Sequence, residues 1–238
     1  MKFIMIHGGN PNTVYLCKKA GWDYGVQFGA TMYHNLTMTD FVKGSWSKYL
    51  NFLKLHNPPL ALACDWLEAS EISLYRQRID DILSLGIKPV VAVKHPSYFE
   101  ENYGLDVRIG ISVPTRHMND GWLPARDYMQ AGQEIHLLGG HPDQWKWFIR
   151  YYCENGQIVE SIDGNSHYEQ ARTYGKFWSQ WGYYRQMPAY KYNTNAMAIC
   201  SMRNAKRYLE NNAPIHDSER ITECKKQLGL IPKQLSLL

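Results

Sequence analysis

Short apolar runs alternate with longer amphipathic stretches along the 238 residues, the pattern of a parallel sheet whose strands are joined by crossover helices. The alternation predicts strands over residues 3–7, 24–28, 60–64, 89–93, 107–113, 134–138 and 158–162. Helical spacing of apolar positions predicts helices over 13–20, 46–56, 72–85, 125–131 and 144–155. Gly86 and Gly156 each follow a predicted helix and precede a predicted strand, which is ordinary helix-stop chemistry.

Seven strands are evident and a closed barrel of this kind needs eight. The gap falls where Thr37-Met38-Thr39-Asp40-Phe41-Val42 has room for a short third strand. The expected class is therefore α/β, a (β/α)8 TIM-like barrel with a degenerate third strand. Beyond Ile162 the pattern turns helical and strongly aromatic to about residue 187, followed by helices near 195–211 and 217–228. These give a barrel domain over 1–190 and a C-terminal helical extension over 191–238, packed on the barrel.

Composition narrows the setting. With 45% hydrophobic and 20% charged residues the chain can bury one large core. A net charge of +4 permits a polyanionic partner without requiring one. Five scattered cysteines with no C-x-x-C pair argue against a disulfide framework and a zinc knuckle. The apolar start of the chain is too short for a signal peptide, and no run has the length to span a bilayer. A cytoplasmic protein with no membrane partner is expected, and a homo-oligomer is compatible with the sequence.

Active sites of parallel barrels form at the carboxyl ends of the strands. Those ends carry His7-Gly8-Gly9, Gly29, Asp65, Lys94-His95, Gly110, Gly139-Gly140-His141 and Asp163-Gly164-Asn165. Glycines and polar residues begin loops everywhere, so no single one of these is diagnostic. Asp65 and Asp163 differ, because each directly follows a strongly apolar strand. A carboxylate there is partly desolvated and needs a partner or a task.

The order of these segments resembles the tRNA-guanine transglycosylases and their DNA-acting, DpdA-type relatives. Ile4-Met5-Ile6-His7-Gly8-Gly9 resembles that family's first strand and turn, and Gly25-Val26-Gln27-Phe28-Gly29 through His34 its second strand. Ala61-Leu62-Ala63-Cys64-Asp65 is similar to the strand whose closing aspartate reads the guanine edge. Val91-Ala92-Val93-Lys94-His95-Pro96-Ser97-Tyr98-Phe99-Glu100-Glu101-Asn102 resembles the Gln-Gln-Gly-Ser-Val-Phe-Glu-Asn segment. Arg108-Ile109-Gly110-Ile111-Ser112-Val113 is similar to the Gly-Gly-Leu-Ala-Val strand beside the base, and Ile135-His136-Leu137-Leu138-Gly139-Gly140-His141-Pro142-Asp143 to the Tyr-Leu-Met-Gly-Val-Gly-x-Pro-x-Asp turn. Asp163 falls where the family keeps its nucleophile. The match runs over residues 3–170 with weak identity and matched spacing.

The resemblance implies a carboxylate attacking the sugar C1′, departure of guanine, and attack of a second base on the same carbon with retention. Asp163 is then the nucleophile, and Asp40 the candidate general acid/base, although the family's glycines around that carboxylate are absent here. Asp65 accepts from the purine N1–H and exocyclic amine. Lys94 or His95 stands where the family contacts the incoming base, and Gly110, Gly139 and Gly140 let the base approach backbone. The implied incoming molecule is a free 7-deazaguanine base such as 7-cyano-7-deazaguanine, with no cofactor.

The tRNA enzymes carry a Cys-x-Cys-x-x-Cys zinc module that this chain lacks, and the chain is shorter, so DNA is the expected polymer and tRNA the alternative. Aromatics interleave with cations beyond residue 170: Arg172, Lys176, Trp178, Trp181 and Arg185 are candidate nucleic-acid contacts. The competing view is that such aromatics seal helices against the barrel. Two other readings stand. A metal-dependent barrel hydrolase would use Asp163, His7 and His95. A non-catalytic nucleic-acid-binding subunit would need none of these.

Overall fold

The computed structural model describes residues 1–7, 10–29, 36–41, 44–113, 123–130, 133–187 and 193–213. Eight parallel strands close a barrel in chain order. They are β1 (Lys2–His7), β2 (Asp23–Gln27), β3 (Met38–Asp40), β4 (Leu60–Trp66), β5 (Lys88–Val93), β6 (Arg108–Ser112), β7 (Ile135–Leu138) and β8 (Val159–Asp163). β8 returns to pair with β1, completing the (β/α)8 plan, and β3 is the short third strand. The described helices are α1 (Pro11–Ala20), α2 (Trp46–His56), α3 (Ile72–Leu83), α4 (Pro142–Glu154), α5 (Ser166–Tyr174) and α6 (Thr194–Asn212).

Local sequence accounts for these elements. Asn10 accepts the backbone N–H of Asn12 and Pro11 opens α1, so the helix starts where capping and a preset φ coincide. In α4, Trp145, Ile149 and Tyr152 recur at helical spacing and are buried, while Trp147 on another face is exposed. Successive strand residues alternate between two apolar clusters. Phe3, Met5, Val91, Val93, Ile109 and Ile111 face the helices. Ile4, Ile6, Met38, Leu60, Leu62, Val90, Ala92 and Leu138 fill the barrel interior.

Two strands break this alternation. In β4 the register with β5 shifts between Leu62 and Cys64, so that Leu62 faces inward while Ala63 and Cys64 both join the outer cluster. In β8 the register with β7 shifts by one residue after Val159. Each shift is a β-bulge, which exchanges the faces of every residue beyond it. Asp65 and Asp163 lie just beyond the bulges. Without them, both aspartates would point at the helices.

The floor of the barrel, at the amino ends of the strands, is ionic. Lys88 donates to Glu134 at 2.9 Å and Arg108 donates to the same carboxylate from Nε at 3.1 Å. Burial pushes the Glu134 carboxyl up, but the Arg108 hydrogen bonds and charge, then Lys88, outweigh it and hold it below its ordinary value.

The region after β8 departs from the expected helical tract. Only Ser166–Tyr174 is helical, and Gly175, at φ 64°, ends it. An antiparallel hairpin follows, β9 (Lys176–Trp178) with β10 (Tyr184–Gln186), because its aromatic residues suit a pleated, half-buried surface. The segment predicted as a helix over 125–131 forms a 3-10 turn at Asp127–Gln130. The helix predicted over 217–228 lies outside the described residues. α6 packs across α1, α4 and α5.

Replacing Glu134 by Gln leaves two cations at the floor without their shared counter-charge. We expect a loss of about 2–3 kcal/mol in urea unfolding at pH 7, less than for a fully buried pair because the site is partly open. A lowered carboxyl stabilises the fold above its unfolded value. Wild type should therefore lose this increment as pH falls below 4.5 and the variant should not.

Candidate active site at the carboxyl mouth of the barrel

Three aspartates on three strands face one another electrostatically at the barrel mouth. Asp163 closes β8, Asp40 closes β3, and Asp65 is the penultimate residue of β4. Asp40 shows the coupling most directly. Burial, then the charges of Asp163 and Asp65, push its carboxyl from 3.8 up to about 6, against an opposing hydrogen bond from Gln27. Gln27 is its register partner across the β2–β3 ladder.

Asp163 is 6% exposed and held at both oxygens. Gly139 N–H donates to Oδ1 at 2.8 Å, and His136 Nε2 lies 3.1 Å from Oδ2. Gly139 has φ 69°, where a side chain is strained, and this conformation turns its amide onto the carboxylate. Trp145 Nε1 donates to Gly139 O at 2.6 Å and Ser166 Oγ to Gly140 O at 2.8 Å, fixing the turn from both sides. His136 is wholly buried, with Nδ1 2.6 Å from Ser161 Oγ. Ser161 in turn accepts from Arg108 NH1 at 2.9 Å.

Asp65 remains open to solvent on 46% of its side chain, and Lys94 Nζ donates to its Oδ2 at 2.9 Å. The structure thus brings Lys94 and Asp65 together as one polar unit beside the mouth.

Several expected site residues are reassigned. The His95 ring accepts the Ser97 N–H at Nδ1 and lies 2.8 Å from Ser97 Oγ, capping the turn after β5. Gly110 does not offer bare backbone to a ligand, since a Cβ there would lie 2.9 Å from Leu138 Cδ1 and 3.1 Å from Val90 Cγ1. Its missing side chain makes room for the barrel core. Gly140 likewise faces Val113, 2.5 Å from a would-be Cβ, and Gly139 serves Asp163. Trp178 is 3% exposed, edge-on to Tyr184 and Tyr208, so it is a packing residue and not a stacking platform. Arg172 donates to Tyr168 Oη at 2.6 Å. Exposed Lys176, Trp181 (62% exposed) and Arg185 remain on the surface of the hairpin, with the Arg185 guanidinium 5.4 Å from the Trp181 ring centre.

The sequence reading missed His136, Ser161 and Gln27 as parts of the site. A polar residue inside an apolar strand was the available signal for His136, once the inward face of β7 is known. The side chain of His7 lies outside the described residues. Among the described residues no group of three or more His, Cys, Asp or Glu side chains is placed to hold a metal ion.

The fold and its polar mouth define a (β/α)8 barrel with acidic groups where such barrels carry chemistry. Residues 20–210 match the model of DUF6610, a family of unknown function, and the chain belongs to that family. No curated protein matches it. Among solved structures the chain is similar to an amidohydrolase from Pseudomonas aeruginosa, with a TM-score of 0.51 at 7% identity, covering 96% of this chain and 97% of that one. It is also similar to the YdjI aldolase from Escherichia coli K12, with a TM-score of 0.51 at 10% identity, covering 94% and 92%. At these identities the likeness concerns the barrel alone. No described helix is long and apolar enough to cross a membrane.

The raised Asp40 carboxyl has a sign that can be tested. A carboxyl held above its unfolded value binds its proton more tightly in the fold, so its contribution falls as pH rises from about 4 through about 6. Asp40→Asn removes that penalty. We expect the variant to be more stable than wild type by about 1–3 kcal/mol at pH 7.5, with the difference vanishing near pH 4, in denaturant titrations at both pH values.

Proposed function

We propose that this chain is a base-exchange transglycosylase that replaces guanine in DNA with a 7-deazaguanine derivative through a covalent Asp163–deoxyribosyl intermediate. The observation that carries the reading is the convergence of three carboxylates, of which Asp40 is driven towards protonation near neutral pH while Asp163 accepts the Gly139 amide. Carboxylates whose surroundings push them apart suit a division into acid and nucleophile.

An Asp163 oxygen attacks C1′ as the C1′–N9 bond breaks, and the electron pair leaves with the purine. Asp40 supplies the proton that makes the departing base neutral. In the second half the arriving base gives a proton to Asp40 while its nitrogen attacks C1′, and the ester bond to Asp163 breaks. The Gly139 N–H favours Asp163 as a departing carboxylate. Two inversions at one carbon give retention.

The Asp65–Lys94 pair supports guanine as the base. A carboxylate complements N1–H and the exocyclic amine, and an ammonium beside it complements O6. Adenine presents a donor where Lys94 also donates. Trp181 with Arg185 and Lys176 on the hairpin supports a nucleic-acid strand as the polymer, by stacking next to cations. A base within a duplex must leave the stack before a carboxylate reaches its sugar.

Purified protein incubated with radiolabelled guanine should label guanine-containing DNA, and the label should survive a chelator. Asp163→Ala should abolish incorporation, and Asp40→Asn should lower it by about 10²–10⁴-fold. Incorporation into tRNA alone overturns the choice of polymer. Full activity in Asp163→Ala overturns the mechanism, and loss of activity on chelation favours a metal-dependent barrel.

A further inference from the structure

A chain of side chains runs inside the barrel from the ionic floor to the mouth. Glu134 holds Arg108, Arg108 NH1 donates to Ser161 Oγ at 2.9 Å, Ser161 Oγ lies 2.6 Å from His136 Nδ1, and His136 Nε2 lies 3.1 Å from Asp163 Oδ2. His136 and Ser161 have no solvent exposure. The sequence of donors along this chain is not free, because Arg108 can only donate.

We propose that Arg108 and Ser161 lock His136 in the tautomer that carries its proton on Nε2, making His136 the positioning residue of Asp163. The guanidinium has donors and no acceptor, so it takes a lone pair of Ser161 Oγ. The serine's single proton is then directed to His136 Nδ1, at a separation typical of a strong O–H donor. A ring accepting at Nδ1 carries its hydrogen on Nε2, which donates to Asp163. The opposite tautomer would set the Nε2 lone pair against a carboxylate oxygen and deprive the serine proton of its acceptor. An imidazolium would also deprive that proton of its acceptor and add a second buried cation near Arg108.

This arrangement contains serine, histidine and aspartate in hydrogen-bonding order, with a polarity unlike that of a serine nucleophile. Ser161 is the sealed end and Asp163 the end at the mouth. The imidazole therefore orients a carboxylate, and the serine never meets substrate. With Oδ1 on Gly139 and Oδ2 on His136, the carboxylate plane is fixed, and its remaining lone pairs have one set of directions. The consequence for catalysis rests on the reading of Asp163 as nucleophile. The tautomer does not.

The two parts separate by experiment on the full chain. Protein labelled with 15N-histidine, examined by long-range proton–nitrogen correlation at neutral pH, should show one histidine with a protonated Nε2 and a bare Nδ1. Its signals are assigned by their absence in His136→Gln. In Ser161→Ala the same ring should lose its single tautomer and show exchange-averaged nitrogens, and Ser161→Thr, which keeps the hydroxyl, should restore the wild-type pattern. A protonated Nδ1 in wild type, an imidazolium, or an unchanged pattern in Ser161→Ala overturns the proposal. If Ser161→Ala does not fold, the wild-type and Ser161→Thr spectra still decide the tautomer. In guanine exchange, Ser161→Ala should lower kcat about 10–100-fold with KM for DNA nearly unchanged, as for a group that orients a reacting partner. The tautomer found as stated in a protein without exchange activity sinks the transglycosylase reading and leaves the relay intact.

Discussion

A strand can send only every second side chain into a barrel, and this constraint governs where chemistry can be placed. Beside the polar chain from Arg108 to Asp163, the interior of this barrel is apolar, with Ile4, Met38, Leu62, Val90 and Leu138 in one cluster. A carboxylate reaches the mouth only if its strand has the right parity at the last turn. β4 and β8 acquire that parity from one inserted residue each. The bulge costs a ladder hydrogen bond and gains an inward carboxylate. The inward turn of Asp65 and Asp163, which brings them towards Asp40, follows from these two local slips.

Bringing three carboxylates together is unfavourable, and the surroundings divide the burden unequally. Asp65 has the ammonium of Lys94 and contact with water. Asp163 has the Gly139 amide and His136. Among the described residues Asp40 has Gln27 as its hydrogen-bond partner and no cation, and it is the group pushed up to about 6. The asymmetry is a consequence of partners, since all three are the same residue type at the same rim. A fold that pays stability for crowded charges retains them for function more often than by accident.

How much of this could be read from the chain depends on whether parity was needed. The barrel, its short third strand and the aspartates at the ends of apolar runs depend on hydrophobic periodicity alone, and they were legible. Bulges were not. Leu60-Ala61-Leu62-Ala63-Cys64 is apolar in either frame, so nothing marks the residue at which the faces exchange. The same blindness joined Lys94 and His95 as equivalent candidates, although adjacent residues leave a strand on opposite sides and only Lys94 meets Asp65. Trp178 was misjudged for another reason. A tryptophan near cations has the same sequence context whether it is exposed or sealed, and only the hairpin that replaces the expected helix puts it against Tyr184 and Tyr208.

The way the mouth neutralises charge bears on the kind of reaction it suits. A barrel that gathers carboxylates and histidines around a metal ion uses the ion's charge to hold them. Here the nitrogens of His136 are engaged by Ser161 and Asp163, His95 caps a turn, and Lys94 is the cation at Asp65. Among the described residues, the acidic charge at the mouth is met by hydrogen bonds and the Lys94 ammonium, and the Asp40 carboxyl is pushed up to about 6. Such a site is suited to passing a proton to and from a leaving group while a second, firmly oriented carboxylate bonds to carbon. That combination is what the glycosyl transfer proposed above requires. The Oδ2 side of Asp163 is held from the floor of the barrel upward, through His136, Ser161 and Arg108, while Gly139 holds Oδ1 at the rim.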